Sequence, residues 1–501
     1  MTDKVTINRL RTGVPGFDEI LGGGLPEFSF NLLAGPPGSG KTTLAHQIMF
    51  ALATPERPAL YFTVLGEPPL KMLRYQQQFD YFDQAAVEHA VRFINLSDDA
   101  MAGNLDQVLE RIAKEVETLS PGLVFVDSFR SVVIAGEAGG QGAAKMQQFV
   151  QRLGMLMTSW QATTFLLGEY FNETDANPVF TVADGLIWMR QSIQRNSMVR
   201  KIEIMKMRGQ ATLPGLHTFR MSHSGVEIFP PVGVAGVADL DASAGGARVM
   251  IGVPRLDEML GGGLPRGYSV LVAGPSGSGK STLAAEFLAE GARRGETGVI
   301  AAFEQRPTKQ RSRVVADLIA QGKIGLVDSR ATDLSIDETM RLLLREIERL
   351  GASRVVIDSL SGFELALAPT FREDFRESLS RFVNALAGAG VTVLMTSELE
   401  DRYIDLRFSP YGTAFLTDVI IVQRYIEVDS RLRRMMAVVK VRASAHSDEL
   451  REFSIDGDGI HVGDMLTDQE GLLGGRPRRK PAANQGSVGG DRRDASADEP
   501  D

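Results

Sequence analysis

The chain has 501 residues, and because a domain usually holds about 100–200 residues, its length predicts two or three domains. Hydrophobic residues at 43% and charged residues at 23% exclude a collagen-like, coiled-coil or wholly disordered chain. The net charge of −9 provides no chain-wide attraction for nucleic acid, and the lack of cysteine excludes disulfides, thiolate metal sites and cysteine nucleophiles.

The amino-terminal segment and the hydropathy of the chain bear on its location. Residues 1–10 contain no apolar core of signal-peptide length, and no uninterrupted apolar stretch approaches the roughly 20 residues of a membrane span. We therefore expect a soluble, cytoplasmic protein that has no membrane partner.

In chain order, the first half alternates apolar runs of strand length with segments of helical periodicity. Residues 30–34 and 60–64 are predicted strands on either side of a helix that begins near Thr42. Residues 123–126 form a further predicted strand. Between them, Asn104 occupies an N-cap position, and the apolar residues after it recur at helical spacing. These residues are Leu105, Val108, Leu109, Ile112 and Val116.

The second half shows the same alternation. Ser335 and Glu338 form a capping-box pattern before a predicted helix, and residues 355–357 form the strand after it. The apolar positions of this helix are Met340, Leu343, Leu344 and Ile347. Continuous apolar strands that alternate with helices are typical of a mostly parallel sheet covered on both faces. The predicted fold class is therefore α/β, with a mostly parallel sheet flanked by helices in each half.

The chain contains an internal duplication. Residues 13–45 align without gaps on residues 252–284 at a constant offset of 239, and 22 of the 33 positions are identical. Residues 475–501 contain no aromatic residue, and Val488 is their only branched aliphatic residue.

These features predict the domain limits. We predict a first domain over residues 1–235, a linker over 236–248, a second domain over 249–468 and a disordered tail over 475–501.

Each half contains the phosphate-binding pattern G-x-x-x-x-G-K-[ST] between a predicted strand and a predicted helix. Glycines are needed because backbone N–H groups must surround phosphate oxygens without hindrance from Cβ atoms. The pattern predicts that Lys41 and Lys280 contact the β- and γ-phosphates of ATP. It also predicts that the hydroxyls of Thr42 and Ser281 bind Mg²⁺. The predicted nucleotide-binding residues are Gly35, Pro36, Pro37, Gly38, Ser39, Gly40, Lys41, Thr42, Thr43, Gly274, Pro275, Ser276, Gly277, Ser278, Gly279, Lys280, Ser281 and Thr282.

A phosphate-binding loop also requires an acidic residue at the end of a neighbouring strand, where it orients the water molecules around the metal. Asp127 follows the apolar run 123–126, and Asp358 follows the run 355–357. We predict that these two carboxylates belong to the two Mg²⁺ sites. The alternative for a strand-end aspartate is a turn residue.

Hydrolysis of ATP needs a carboxylate that orients or deprotonates the attacking water. Glu304 lies 24 residues after Lys280. The position 24 residues after Lys41 is Leu65 instead, and Glu67 lies two residues further on. We predict that Glu304 is the catalytic base of the second site. The first site would bind ATP and hydrolyse it slowly, or use the displaced Glu67, for which a solvated turn carboxylate is the alternative.

With these residues in place, the chain resembles the KaiC family of RecA-like ATPases, specifically its tandem two-domain members. The resemblance covers about residues 12–464 and rests on the lead-in G-V-P-x-x-D-E-x-L-G-G-G-L-P as well as on the two phosphate loops. It implies two RecA-like domains that bind Mg-ATP, and a hexameric ring with ATP at the subunit interfaces. It further implies a role in signalling or regulation through partner proteins.

The resemblance extends to a Lys-x-Arg element in each half. Lys206 and Arg208 in the first half, and Lys440 and Arg442 in the second, resemble the family's K-M-R-G element. In the family these cations reach the nucleotide of the neighbouring subunit, where such a charge stabilises the transferring phosphoryl group. Outside the family, a Lys-x-Arg on a strand is usually a solvated face.

Glu169 and Glu398 each end a further apolar run. In RecA-like folds this strand end commonly carries a polar residue near the γ-phosphate, so both glutamates are candidates for that position. A helix cap or an ion pair is the alternative for each.

Clock members of the family also phosphorylate themselves on a Ser-Thr pair that precedes a Thr-Asp dipeptide. In this chain Ala414 and Phe415 occupy the positions of that pair, and neither has a hydroxyl. The nearby candidate phosphoacceptors are Ser409, Thr413 and Thr417. The clock's two-site cycle therefore does not carry over, and serine/threonine autokinase activity at these three residues is a secondary alternative rather than the main expectation.

Two other functions are alternatives. A DNA-processing RecA-like or RadA-like motor would use a positive channel and often a cysteine zinc site, which the net charge of −9 and the lack of cysteine disfavour. A nucleotide-gated scaffold with little turnover is the other alternative, and Leu65 favours it. The arginine-rich clusters relevant to nucleic acid are Arg402, Arg407, Arg431, Arg433, Arg434, Arg476, Arg478, Arg479 and Lys480.

Overall fold

The structure is a computed structural model. It describes residues 7–64, 69–101, 104–138, 143–171, 178–194, 197–231, 247–303, 313–328, 335–367, 375–399, 417–428, 430–465, 469–470 and 478–479. We refer to the described residues up to 231 as the first repeat and to those from 247 onward as the second repeat.

Contacts between Cα atoms divide the chain into two compact units. The first unit comprises Met1–Ala238, Asp328–Glu346 and Phe363–Ala385. The second unit comprises Asp239–Val327, Ile347–Gly362 and Leu386–Asp501. The domain and linker limits predicted from the sequence stay a prediction.

The first repeat contains eleven strands and nine helices among its described residues. Its strands are β1 (Arg9–Leu10), β2 (Leu25–Pro26), β3 (Phe30–Gly35), β4 (Ala59–Thr63), β5 (Val91–Asn95), β6 (Leu123–Asp127), β7 (Thr163–Glu169), β8 (Gly185–Gln194), β9 (Ser197–Met207), β10 (His217–Ser222) and β11 (Gly225–Phe229). Its helices are α1 (Phe17–Ile20), α2 (Lys41–Leu52), α3 (Pro69–Gln76), α4 (Gln84–His89), α5 (Ser97–Met101), α6 (Leu105–Leu119), α7 (Phe129–Ala138), α8 (Ala143–Ser159) and α9 (Pro178–Val182).

The second repeat continues the numbering. Its strands are β12 (Arg248–Val249), β13 (Leu264–Pro265), β14 (Ser269–Gly274), β15 (Gly298–Ala302), β16 (Ile324–Asp328), β17 (Arg354–Asp358), β18 (Thr392–Glu398), β19 (Val419–Val428), β20 (Arg431–Val441), β21 (Arg451–Asp456), β22 (Gly459–Met465), β23 (Gln469–Glu470) and β24 (Arg478–Arg479). Its helices are α10 (Pro254–Met259), α11 (Lys280–Arg293), α12 (Arg313–Ala320), α13 (Ile336–Leu350), α14 (Leu360–Ala366) and α15 (Phe375–Gly388).

Each repeat is built on a nine-stranded sheet. The strand order is β5-β4-β6-β7-β3-β8-β9-β10-β11 in the first repeat and β16-β15-β17-β18-β14-β19-β20-β21-β22 in the second. The strands from β5 to β8 and from β15 to β19 pair in parallel. The last four strands of each sheet pair antiparallel. The two repeats therefore share one topology, which confirms the predicted α/β fold with mostly parallel sheets.

The central strands explain why the sequence folds in this way. All six residues of β3 and all six of β14 are buried, as expected for parallel strands that are covered on both faces. Leu32 and Leu33, which are adjacent along β3, pack into separate hydrophobic clusters on the two faces of the sheet. Because β3 and β14 lie in the middle of their sheets, the phosphate loops that follow them are anchored in the core of each repeat.

The predicted helix starts are confirmed by their hydrogen bonds. The Asn104 side chain accepts a hydrogen bond from the backbone N–H of Asp106 at 3.1 Å and caps α6. At α13, Ser335 Oγ accepts one from the backbone N–H of Glu338 at 3.1 Å. The antiparallel strands β9–β11 and β20–β22 are an addition that the sequence analysis did not predict.

Two predicted segments lie largely outside the described residues. Of the linker, the structure describes only residues 247–248, and of the tail only β24. Within the described part of the chain, no helix has both the length and the apolar character needed to cross a membrane.

Candidate active sites

The phosphate loops begin at the carboxyl ends of β3 and β14 and lead into α2 and α11. Gly40 and Gly279 immediately precede the two helices and have φ angles of 99° and 105°, in the region that favours glycine. A Cβ atom on Gly279 would approach Ile455 Cδ1 to 2.4 Å. The backbone conformation therefore favours glycine at this position, and any larger residue would also displace the end of the Ile455 side chain.

The two loop lysines make equivalent hydrogen bonds. Lys41 Nζ donates to the carbonyl oxygens of Gly35 at 3.0 Å and Pro36 at 2.9 Å. Lys280 Nζ donates to the carbonyl oxygens of Gly274 at 2.9 Å and Pro275 at 2.8 Å. Each ammonium group thus lies inside its own loop.

Burial and nearby carboxylates act in opposite directions on Lys41. Burial lowers the pKa of the Lys41 ammonium, while the charges of Glu169 and Asp127 raise it. Glu169 ends β7 opposite Gly35 in the strand register, and Glu398 ends β18 opposite Gly274. The structure therefore places both predicted glutamates beside the first glycine of a phosphate loop.

In the first repeat, Asp127 meets the hydroxyl of the loop. Asp127 Oδ2 accepts hydrogen bonds from Thr42 Oγ1 at 2.8 Å and from the Tyr61 hydroxyl at 2.9 Å. Burial raises the pKa of the Asp127 carboxyl group, and these two hydrogen bonds lower it. The two predicted metal-site residues are thus brought together, with Tyr61 as a third member of the cluster.

In the second repeat, the predicted residues line one cavity of about 410 Å³. Lys280, Ser281, Asp358 and Glu398 all face it. Its other lining residues are Ser276, Gly277, Gly279, Thr282, Ser359, Arg434 and Ile455. This set combines backbone amides, one lysine and one arginine with two carboxylates, which suits a phosphorylated ligand carried with a cation.

The donor set also fits Mg²⁺. Among the described residues, no group of three or more histidine, aspartate or glutamate side chains is arranged to hold a metal ion by itself. Nucleotide sites bind Mg²⁺ through one or two protein oxygens, with water and phosphate oxygens completing the shell. Thr42 with Asp127, and Ser281 with Asp358, provide protein oxygens of this kind.

The Lys-x-Arg elements lie at the other end of the central strands. The backbone N–H of Arg208 donates to Asp184 O, and that of Asp184 donates to Phe30 O, so Arg208 lies beside the start of β3. The loop glycine, Gly35, lies five residues further on at the end of this strand, or about 16 Å away at the rise of an extended chain. In the second repeat, the backbone N–H of Arg442 donates to Asp418 O, and that of Asp418 donates to Ser269 O at the start of β14.

The side chains of these elements have local partners. Arg208 forms a 3.0 Å ion pair with Asp184, and Arg442 forms one of the same length with Asp418. Both arginine side chains remain 59% exposed. Lys206 Nζ donates to the Thr181 carbonyl at 3.1 Å, and burial together with Arg208 lowers its pKa. The arginines therefore lie on the protein surface, away from the phosphate loop of their own repeat.

Comparison with known proteins identifies the family to which the chain belongs. The sequence profile of the KaiC ATPase family matches residues 10–233 and matches again over residues 249–467. The chain belongs to the KaiC family of ATPases. The two matches cover both sheets, both phosphate loops and both Lys-x-Arg elements, and so confirm the resemblance seen in the sequence.

Curated KaiC relatives match along nearly the whole chain. The circadian clock oscillator protein KaiC of Picosynechococcus sp. is 28% identical over 488 residues, covering 94% of this chain and 93% of its own length. KaiC 1 of Synechocystis sp. is 28% identical over 488 residues, with coverages of 94% and 92%. KaiC of Rippkaea orientalis is 28% identical over 487 residues, also with coverages of 94% and 92%.

Several predicted KaiC-type site residues lie outside the described residues. They are Leu65, Glu67, Glu304, Ser409 and Thr413. Thr417 is described and is fully buried. The predicted base positions and all three candidate phosphoacceptors stay predictions.

The sequence analysis missed three residues that the structure places at the sites. Tyr61 contacts Asp127, and Thr396 Oγ1 donates a hydrogen bond to Asp358 Oδ1. Arg434, which the sequence presented only as part of an arginine cluster, lines the second cavity and lies 5.7 Å from the centre of the Tyr425 ring. A polar residue two positions before the end of a buried strand was the available signal for Tyr61 and Thr396.

His46, on α2, makes the stability of the first repeat depend on pH. Its ring is completely buried against Tyr61, and burial lowers its pKa to about 3. An unfolded histidine has a pKa of about 6.5, so between these values the unfolded chain binds the extra proton. We expect the free energy of unfolding to fall by about 2 kcal/mol from pH 7 to pH 5 through this residue.

Urea denaturation of the wild type and of His46→Phe at both pH values measures this effect. The Phe variant, which keeps the ring stacking, should show a smaller loss of stability at pH 5. His89→Phe, which replaces an exposed histidine, is the matched control and should behave as the wild type. Equal pH dependence in all three proteins would contradict the assignment.

Proposed function

We propose that the protein binds Mg-ATP in both repeats and hydrolyses it to ADP and phosphate. The observation that carries this proposal is the repeated juxtaposition of a loop lysine, a loop hydroxyl residue and a strand-end aspartate at the carboxyl edge of each sheet. The membership of the KaiC ATPase family supports it.

In this proposal each loop residue has a distinct role. The Lys41 and Lys280 ammonium groups exchange their carbonyl partners for β- and γ-phosphate oxygens. Thr42 with Asp127, and Ser281 with Asp358, would hold Mg²⁺, which neutralises charge on the phosphates. Glu304 accepts a proton from the attacking water as the bond between the γ-phosphorus and the bridging oxygen breaks.

We further propose that the chain assembles into a hexameric ring whose ATP sites are shared between subunits. Arg208 and Arg442 lie beside the start of the strand that ends in the loop, far from the loop of their own repeat, and this supports a role at the nucleotide of another subunit. Their exposure makes them accessible to a neighbouring chain. Lys206 and Lys440 would act with them.

The ring is proposed to signal through partner proteins in the cytoplasm. The curated relatives are named circadian clock oscillator proteins, which supports a regulatory output coupled to ATP hydrolysis. Autophosphorylation at Ser409, Thr413 or Thr417 is a further prediction from the sequence, as is the absence of a nucleic-acid partner.

Steady-state ATP hydrolysis tests the proposed function and the inequality of the two sites. Glu304→Gln should remove most of the activity, because loss of a general base costs about 10²–10⁴-fold at the second site. Glu67→Gln should leave most of it. A Glu304→Gln protein with unchanged total activity, together with an inactive Glu67→Gln protein, would reverse the assignment. Activity at background in the wild type would favour the scaffold alternative.

A further inference from the structure

The two repeats hold their strand-end aspartates by hydroxyl groups from opposite sides. Asp127 on β6 lies between β4 and β7, and Asp358 on β17 lies between β15 and β18. In the first repeat the additional hydroxyl is that of Tyr61 on β4, 2.9 Å from Asp127 Oδ2. In the second repeat it is that of Thr396 on β18, which donates to Asp358 Oδ1.

The strand on one side of each aspartate carries a hydrogen-bond donor in the first repeat and an aliphatic residue in the second. Tyr61 lies two residues before Thr63, which faces Asp127, and Ile300 lies two residues before Ala302, which faces Asp358. Ile300 cannot donate a hydrogen bond. The second repeat therefore has an apolar side chain at the position from which the first repeat supplies its phenol.

The strand on the other side of each aspartate carries an aliphatic residue in the first repeat and a hydrogen-bond donor in the second. Leu167 on β7 faces Leu33, two residues before the loop glycine Gly35. Thr396 on β18 faces Val272, two residues before the loop glycine Gly274. The register thus makes Leu167 the counterpart of Thr396. Each repeat has one donor and one aliphatic residue at this pair of positions, in opposite order.

The ring of Tyr61 is fixed by an aromatic stack. Its centroid lies 4.6 Å from that of His46 and 5.8 Å from that of Phe125, in stacked arrangements. Phe125 in turn stacks on Phe165 at 4.9 Å. Tyr61 is fully buried, so the position of its hydroxyl is determined by packing.

The second repeat has no aromatic ring at any of these positions. Their counterparts, by spacing from the loop lysine and by strand register, are Ala285, Ile300, Val356 and Leu394. The aromatic stack and the phenol therefore occur together in the first repeat. This coincidence favours a role of the stack in placing the hydroxyl rather than in filling the core alone.

We propose that Tyr61 and Thr396 are the positioning residues that orient Asp127 and Asp358 for the Mg²⁺ site of their repeat. Asp127 Oδ2 accepts from both Tyr61 and Thr42, so the phenol holds the carboxylate against the hydroxyl that enters the metal shell. The inference rests on the proposed binding of Mg-ATP, because without a metal the orientation of Asp127 has no ligand to serve.

Mg²⁺-dependent nucleotide binding tests the inference in the full-length chain. The parent protein carries Lys280→Ala, so that the first repeat alone binds a fluorescent ATP analogue. Tyr61→Phe removes one oxygen and keeps the stacked ring. It should raise the Mg²⁺ concentration for half-maximal binding about 10-fold. The affinity for the analogue measured in EDTA, without Mg²⁺, should be the same in the parent and in the Tyr61→Phe protein.

A rescue variant and a matched control separate positioning from structure. Adding Leu167→Thr to Tyr61→Phe supplies a hydroxyl from β7, as Thr396 does from β18, and should restore the Mg²⁺ requirement at least in part. Tyr81→Phe removes another partly buried hydroxyl of the first repeat, which donates a hydrogen bond to Gln76 Oε1. This control should leave the Mg²⁺ requirement unchanged. In a Lys41→Ala parent, Thr396→Val should act on the second repeat as Tyr61→Phe acts on the first.

The outcomes distinguish the inference from the proposed function. A parent protein that binds the analogue without any need for Mg²⁺ would overturn the proposed Mg²⁺ site, and the inference with it. A parent that requires Mg²⁺ equally with and without Tyr61→Phe would overturn the inference alone. If Tyr61→Phe does not fold, Thr396→Val decides in the same way, and an unchanged Mg²⁺ requirement there would contradict the proposal.

Discussion

Replacing Lys41 or Lys280 by alanine should remove one of two nucleotide sites per chain. Each ammonium group lies within hydrogen-bond distance of two loop carbonyls, where the phosphates of a bound nucleotide would surround it. Removing one partner of a buried, hydrogen-bonded charge pair costs about 2–5 kcal/mol, which corresponds to about 30-fold weaker binding or more. We expect the affinity of the altered repeat to fall by at least this factor.

Titration with a fluorescent ATP analogue measures both the affinity and the number of sites. Each single variant should keep one site, and the double variant Lys41→Ala/Lys280→Ala should keep none. Lys114→Ala replaces an exposed lysine on α6 and is the matched control. Two unaltered sites in either single variant would contradict the placement of that site.

Replacing Arg208 or Arg442 by alanine should lower turnover at the site that the arginine serves much more than nucleotide binding there. A cation that stabilises charge on the transferring phosphoryl group contributes about 10³–10⁵ in kcat, and its effect is largest in the transition state. The arginines of the ion pairs with Asp184 and Asp418 are 59% exposed, and ion pairs at the protein surface contribute only about 0–1 kcal/mol to folding, so lost activity would not reflect unfolding. Arg152→Ala, which breaks another exposed ion pair, should retain full activity.

Mixing two inactive proteins tests whether the site is shared. In a Lys41→Ala background, Arg442→Ala retains an intact second loop and Lys280→Ala retains an intact arginine. A ring assembled from both can contain complete sites, so the mixture should be more active than the sum of its parts. Light scattering in Mg-ATP should show the mass of a hexamer. A monomer in Mg-ATP, or a mixture without added activity, would contradict the trans role.

The local elements of the fold were predictable because neighbouring residues decide them. The Asn104 cap of α6 and the Ser335 hydroxyl at α13 act on backbone groups two or three residues away. The phosphate loops likewise combine a buried strand, glycines that tolerate a positive φ, and the start of a helix within a short segment. The strand-end position of Asp127 and Asp358 followed from apolar runs of fixed length.

The duplicated sequence by itself determined the two α/β repeats, the two phosphate loops and the family. The tertiary structure decided which distant residues complete each site. Tyr61 and Asp127 are 66 positions apart and meet only because β4 and β6 pair in parallel at one register. Arg208 lies far from its own loop only because β8 and β9 return along the sheet to the start of β3. Strand order and register depend on packing across the whole sheet, and no short segment of the chain encodes them.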